Sequence, residues 1–219
     1  MRQNISLAEI SDGHLYKAND MVKADCGGCE GCSQCCRGMG NSIILDPYDV
    51  YRLTTGIGKS MQELLATSVE LNVVDGVILP NLKMQGTGEA CAYLDAAGRC
   101  SIHPYRPGIC RLFPLGRHYE NGGLFYFLQT GECAKENRSK VKVSKWIDTP
   151  ELKRNEQFKL QWHDLLSAMT DRVAGEDEGK QREENLLLLR LFYLLPYEGT
   201  TDFYSQFTER MEHWNEQIG

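Results

Sequence analysis

Five cysteines fall within eleven residues, Cys26-Gly-Gly-Cys29-Glu-Gly-Cys32-Ser-Gln-Cys35-Cys36. Three successive C-x-x-C steps end in a vicinal pair. Two residues between thiols let a tight loop turn both sulfurs toward one ion. Gly27, Gly28 and Gly31 supply the backbone freedom such a loop needs. The same run matches the spacing that nests a four-iron cluster, whose fourth ligand comes from elsewhere in the chain. Neighbouring side chains diverge, so Cys35 and Cys36 are expected to feed two sites.

Four more cysteines follow, Cys91, Cys100, Cys110 and Cys133. The segment Cys91–Cys100 reads as a hairpin turning near Ala97-Gly98, which would bring its two end thiols together. The segment Cys100–Pro114 carries Pro104, Pro107 and Pro114, which stiffen an irregular loop and remove backbone donors. Nine buried thiols acting as small apolar residues is the bland alternative; five in eleven residues at stacked C-x-x-C spacing argues against it. A thioredoxin-like redox pair is disfavoured too, because no strand-then-helix pattern flanks any one C-x-x-C.

These residues resemble a known family, the YkgJ-like cysteine-cluster proteins described as a zinc- or iron-chelating domain. The matching features are Cys29-x-x-Cys32-x-x-Cys35-Cys36, Asp49 and Arg52 in the following helix, Cys91-x-x-Leu94, and Gly98-x-Cys100-x-Ile102. Arg106-Pro107, Cys110-Arg111, Phe113-Pro114 and Cys133 complete the match, over about residues 25–135. Cys26 extends the usual cluster, and His103 stands where the family commonly has an aromatic residue. The resemblance implies metal or iron–sulfur binding. A similar cluster occurs in the longer flagellin lysine methylases, whose additional regions have no counterpart here.

Without Cys26 the thiols number eight, which divides into two sets of four. Two [4Fe–4S] clusters, two zinc ions, or one of each would satisfy all-sulfur ligation. The triple C-x-x-C run favours iron–sulfur. The grouping expected is Cys29, Cys32 and Cys35 together, with Cys36 joining the distal thiols. His103 is expected to hydrogen-bond rather than ligate. Arg106 and Arg111 flank Cys110. They would bind a phosphate or carboxylate, offset the charge of a thiolate cluster, or lock the loop onto a carbonyl or carboxylate.

The elements that must hold these thiols are legible in outline. Asp46-Pro47 starts a helix that should run to about Thr55 and stop at Gly56. Ser60 and Glu63 form a capping box for a second helix. Val73–Leu79 and Leu124–Leu128 read as short strands, the latter after a Gly122-Gly123 turn that follows a strand near Arg117–Tyr119. Phe158, Trp162, Leu165, Leu166, Met169 and Val173 make one apolar helix face in a helix opened by Pro150. A second helix spans Gln181–Leu195, and Phe203, Phe207, Met211, Trp214 and Ile218 mark a third. The expected architecture is α+β. Residues 1–24 form a polar lead-in, 25–135 a cysteine-cluster domain, and 136–219 a helical region packed on the same core.

The chain has 219 residues, 42% apolar and 25% charged, with a net charge of -6. Those proportions are globular, and the negative balance argues against a broad nucleic-acid-binding face. Leu186–Leu195 is too short and too broken by Arg190 to span a bilayer. No secretory signal opens the chain. A cytoplasmic protein with no membrane or nucleic-acid partner is expected, working as an iron–sulfur redox or electron-transfer protein beside a protein redox or enzyme partner. The alternatives are a zinc-stabilised interaction module and a metal-dependent group-transfer enzyme resembling the methylases. No nucleotide loop, Ser–His–Asp set or carboxylate pair supports a specific reaction, so the enzyme reading rests on resemblance alone.

Overall fold

The computed structural model describes residues 7–27, 32–135 and 137–218. The N-terminal half carries α1 (Leu7–Ile10), β1 (Met21–Asp25), α2 (Pro47–Ile57), α3 (Met61–Thr67), β2 (Val69–Val74) and β3 (Val77–Leu82). Then follow β4 (Met84–Gln85), β5 (Ala90–Cys91), α4 (Gly108–Leu112), β6 (Leu115–Glu120) and β7 (Gly123–Leu128). The C-terminal part carries β8 (Ser139–Lys142), α5 (Val143–Ile147), α6 (Leu152–Val173), α7 (Glu178–Leu189) and α8 (Phe203–Ile218). The strands form two-stranded antiparallel sheets, β1–β8, β2–β3, β4–β5 and β6–β7. The architecture is α+β.

Local signals explain most of these elements. Asp46 and Asp49 cap α2 reciprocally, and Pro47 stands in its first turn. Ser60 and Glu63 do the same for α3. Each such box satisfies two orphan amide donors, and its loss costs about 1 kcal/mol. The stop of α2 falls two residues later than its glycines suggest: Gly58, at φ 72°, is the cap. Gly56 lies inside the helix with the Tyr105 ring against it; a Cβ there would lie 2.2 Å from Tyr105 Cδ1.

A second correction concerns Val73–Leu79. It is not one strand but the tip of a hairpin, with Val74 opposite Val77. Asp75 and Gly76 both take positive φ, 50° and 83°. That is the two-residue turn whose twist matches paired strands. The β6–β7 hairpin turns the same way at Asn121-Gly122. The ordered segment of the polar lead-in includes β1, and its partner β8 lies beyond the last cysteine. Helix α6 begins at Leu152 rather than at Pro150.

Two apolar cores result. The larger joins α2, α3, β2 and β3 to α6, α7 and α8. Phe158 meets Phe207 and Phe203 edge to face, with ring centroids 4.7 and 5.1 Å apart. Such pairs add about 0.5–1.5 kcal/mol each beyond area burial. After α7 the chain makes one π-turn, Arg190–Leu194. Arg210 closes it, its guanidinium donating to the carbonyls of Leu191, Leu195 and Pro196. The smaller core gathers Val22, Ala24, Leu112, Leu115, Tyr126, Leu128, Val143 and Ile147. Among the described residues no helix is long and apolar enough to cross a membrane.

Candidate metal centre

Cys36 ends a 3-10 turn, Gln34–Cys36. The next residue, Arg37, bridges to Ala90, and Gly38 N–H donates to the Glu89 carbonyl. These bonds set Cys36 beside Cys91, 55 residues away in sequence by subtraction. Cys91 closes β5 opposite Met84. From there a turn over Asp95–Gly98 reverses the chain. Asp95 Oδ1 accepts from the amides of Ala97 and Arg99, and Gly98 takes φ 72°. Leu94 then bridges to Cys100, so the expected approach of Cys91 and Cys100 is realised by this turn.

Cys110 arrives on α4, and that short helix is held at both ends. At its start, Gly108 N–H donates to Asp49 Oδ1 at 2.7 Å. The guanidinium of Arg52 meanwhile donates to the Pro104 carbonyl. One helix, α2, therefore clamps the Cys100–Cys110 loop at two points. At the far end, Trp146 Nε1 donates to the carbonyls of Leu112 and Phe113, at 3.1 and 3.2 Å.

Beneath Gly108 lies a buried charged junction. Lys159, from α6, is 4% exposed and ion-pairs with Asp46. A Cβ on Gly108 would stand 3.4 Å from Asp49 Oδ1, 3.5 Å from Lys159 Nζ and 3.2 Å from Arg117 Nη2. Burial pushes the Asp49 carboxyl up to about 6, against the pull of the Gly108 amide and of Arg117, Arg111 and Arg52. Sequence periodicity hides this junction: Lys159 sits in a buried phase of α6, and a charge at such a position was the one signal available.

The result is a cavity of about 440 Å³ whose wall includes Cys36, Cys91, Cys100 and Cys110. None of these four is in a disulfide. They act on one another electrically. Burial and then the neighbouring sulfurs push the Cys110 thiol far up; Cys91 and Cys100 are raised for the same reasons. Cys36 goes the other way, to about 7. A hydrogen bond from Cys35 drives this against burial, and the charges of Arg106 and Arg37 assist.

Four other thiols lie around a smaller gap. Cys26, Cys32, Cys35 and Cys133 line it together with Glu132. Cys32, Cys35 and Glu132 border both cavities. Cys29 lies outside the described residues. Among the described residues no group of three or more His, Cys, Asp or Glu side chains is set in a metal-holding arrangement.

The two arginines flanking Cys110 part company. Arg106 lines the larger cavity, with Nη1 on His103 Nε2. Arg111 is buried, and its Nε donates to the Ile147 carbonyl at 3.1 Å. It ties α4 to α5 and is not on the cavity wall. His103 is on that wall, its imidazole held below the usual range by burial and by Arg106 and Arg99. Tyr93 lines the cavity and bonds Ser68 Oγ at 2.7 Å, whereas Tyr105 packs on Gly56.

No curated protein and no solved structure matches the chain. A family model does, over residues 28–138, just over half its length and the whole thiol-bearing segment apart from Cys26. The chain belongs to the CxxCxxCC family, described as a "putative zinc- or iron-chelating domain".

Proposed function

We propose that this protein holds iron–sulfur clusters through its cysteine thiolates and serves in electron transfer or redox chemistry. The observation that carries the reading is the convergence of Cys36, Cys91, Cys100 and Cys110 from separate segments on one cavity. These four would hold one [4Fe–4S] cluster, the ligand count such a cluster takes. Cys29, Cys32, Cys35 and Cys133, with Cys26 alongside, would serve a second. The donor set fits a cation. Burial and mutual repulsion oppose ionising several of these thiols together; a bound metal reverses that balance, and its uptake releases their protons.

A cluster supplies one-electron exchange. The chain's own residues would hold it, shield its inner face with apolar walls, and place Arg37 and Arg106 to offset thiolate charge. A redox enzyme or carrier is the partner this chemistry requires. Zinc is the second reading, favoured by the same all-thiol donor set, which a closed structural zinc site also uses.

Anaerobic purification with iron, zinc and sulfide analysis tests the choice. Iron and sulfide in near-equal amounts, with visible absorption that bleaches on reduction, is expected. Stoichiometric zinc without sulfide or colour would replace the iron–sulfur reading with the zinc one.

A further inference from the structure

The larger cavity, at about 440 Å³, falls within the roughly 300–1,000 Å³ of small-molecule sites. Its walls are also divided by chemistry. Met39, Ile43, Leu82 and Met84 line an apolar part, while Arg106 and His103 bring a guanidinium and an imidazole. Arg106 Nε is buried and has no hydrogen-bond partner among the described residues. A buried N–H left unpaired costs about 1–3 kcal/mol, more when charged, so the position favours whatever brings an acceptor to it.

We infer that this cavity binds a small amphipathic oxyanion, a carboxylate or phosphate on an apolar body, with the head on Arg106 and the tail against Met39 and Ile43. It rests on the metal reading only in placing this ligand beside a metal. Arg106 gains charge-assisted bonds of the forked kind that guanidinium forms with carboxylate or phosphate. Arg37 also acts on Cys36, so a ligand on Arg106 leaves the thiolates a cationic neighbour. The apolar wall selects the tail: each buried methylene adds about 0.8 kcal/mol.

Calorimetric titration of the protein as isolated, with its metal content measured in parallel, tests this. Octanoate, octyl phosphate and inorganic phosphate are the probes. Saturable binding of octanoate or octyl phosphate, at least tenfold tighter than inorganic phosphate, is expected; the tighter of the two identifies the head group. Arg106→Gln should weaken that binding tenfold or more, beyond any fall in metal content, and Arg106→Lys should recover part of it. Met39→Gln, at a half-buried loop position, should weaken the tailed probes and leave inorganic phosphate unchanged.

The absence of saturable binding to the wild type would overturn the inference. So would undiminished binding to Arg106→Gln, or a loss of binding that only follows that variant's loss of metal, which would leave Arg106 a charge partner of the thiolates alone. Binding by a protein that holds no metal would support the ligand site while removing the metal reading.

Discussion

The helical and thiol-bearing halves of this molecule position their side chains by different means. In α6 and α8, an apolar stripe with helical spacing does the work. Phe158, Trp162, Phe203 and Phe207 interlock through several ring contacts each, so no one polar bond decides where a residue sits. Around Cys36, Cys91, Cys100 and Cys110 there is little regular structure. Two-residue strands, turns and single polar bonds hold the chain, among them Gly108 on Asp49 and Arg52 on Pro104. A redundant core spreads a loss over many contacts, whereas a clamp made once is broken by one substitution. The same architecture leaves loops free to turn several thiols into one space, which a helix face does poorly.

The widest separation of the two halves should come from removing a thiol. Cys110→Ser is expected to abolish metal at the larger cavity, beyond the roughly 10–100-fold that a supporting residue costs. Cys133→Ser should remove only the metal of the smaller one. Each variant is expected to keep its helical circular dichroism and lose part of the metal. Equal, complete loss in both would merge the two groups into one site.

Lys159 is where the halves meet. Lys159→Met fills the same space but leaves Asp46 without its cation. An ion left unpaired in a buried setting costs about 3–5 kcal/mol. Because Asp46 also caps α2, which clamps the cysteine loop, both the melting midpoint and metal retention against a chelator should fall. A fall in stability alone would confine the pair to core packing.

Asp49→Asn is gentler. The amide oxygen still accepts from Gly108, while the acceptor for the Asp46 amide and the charge facing Arg117, Arg111 and Arg52 are gone. Metal affinity is expected to drop about 10–100-fold, the range for groups that orient ligands, with a smaller change in stability than at Lys159. Competition with a chromophoric chelator measures it; unchanged affinity would release Asp49 from a positioning role.

The degree to which the sequence foretold this follows the same divide. The Asp46 N-cap, the Ser60 capping box, the apolar stripes and a hairpin near Gly122 have local causes, and local patterns reveal them, although the turn falls at Asn121-Gly122 rather than Gly122-Gly123. Val73–Leu79 reads as one strand by its apolar content, but the Asp75-Gly76 turn inside it folds it into a hairpin tip. Cys36 comes beside Cys91 through the Arg37–Ala90 bridge, a contact between distant segments that no local spacing encodes. Arg106 and Arg111 look alike in sequence. Only the packing of α5 against α4 turns one to a carbonyl and leaves the other on the cavity.

The smallest effect is expected far from the thiols. Asp202 caps α8, accepting from Ser205 N–H at 2.9 Å, and takes both guanidinium nitrogens of Arg154. Burial alone would raise its pKa. Hydrogen bonds from Arg154 and Ser205, then the Arg154 charge, outweigh burial and hold it below the usual carboxylate value. A carboxylate depressed on folding contributes stability above its unfolded pKa of about 3.9 and loses it as pH falls through the lower folded value. Asp202→Ala should therefore cost about 1 kcal/mol at neutral pH, the usual worth of a cap, and its difference from wild type should vanish in strong acid. Asp202→Asn should keep most of the cap and lose only the exposed pair, worth about 0–1 kcal/mol. Metal content should be unchanged in both, because among the described residues no polar clamp on the cysteine loops comes from α8. Thermal melts with parallel metal analysis measure this, and metal loss at Asp202 would mean that the helical half supports the thiols more directly than through Lys159.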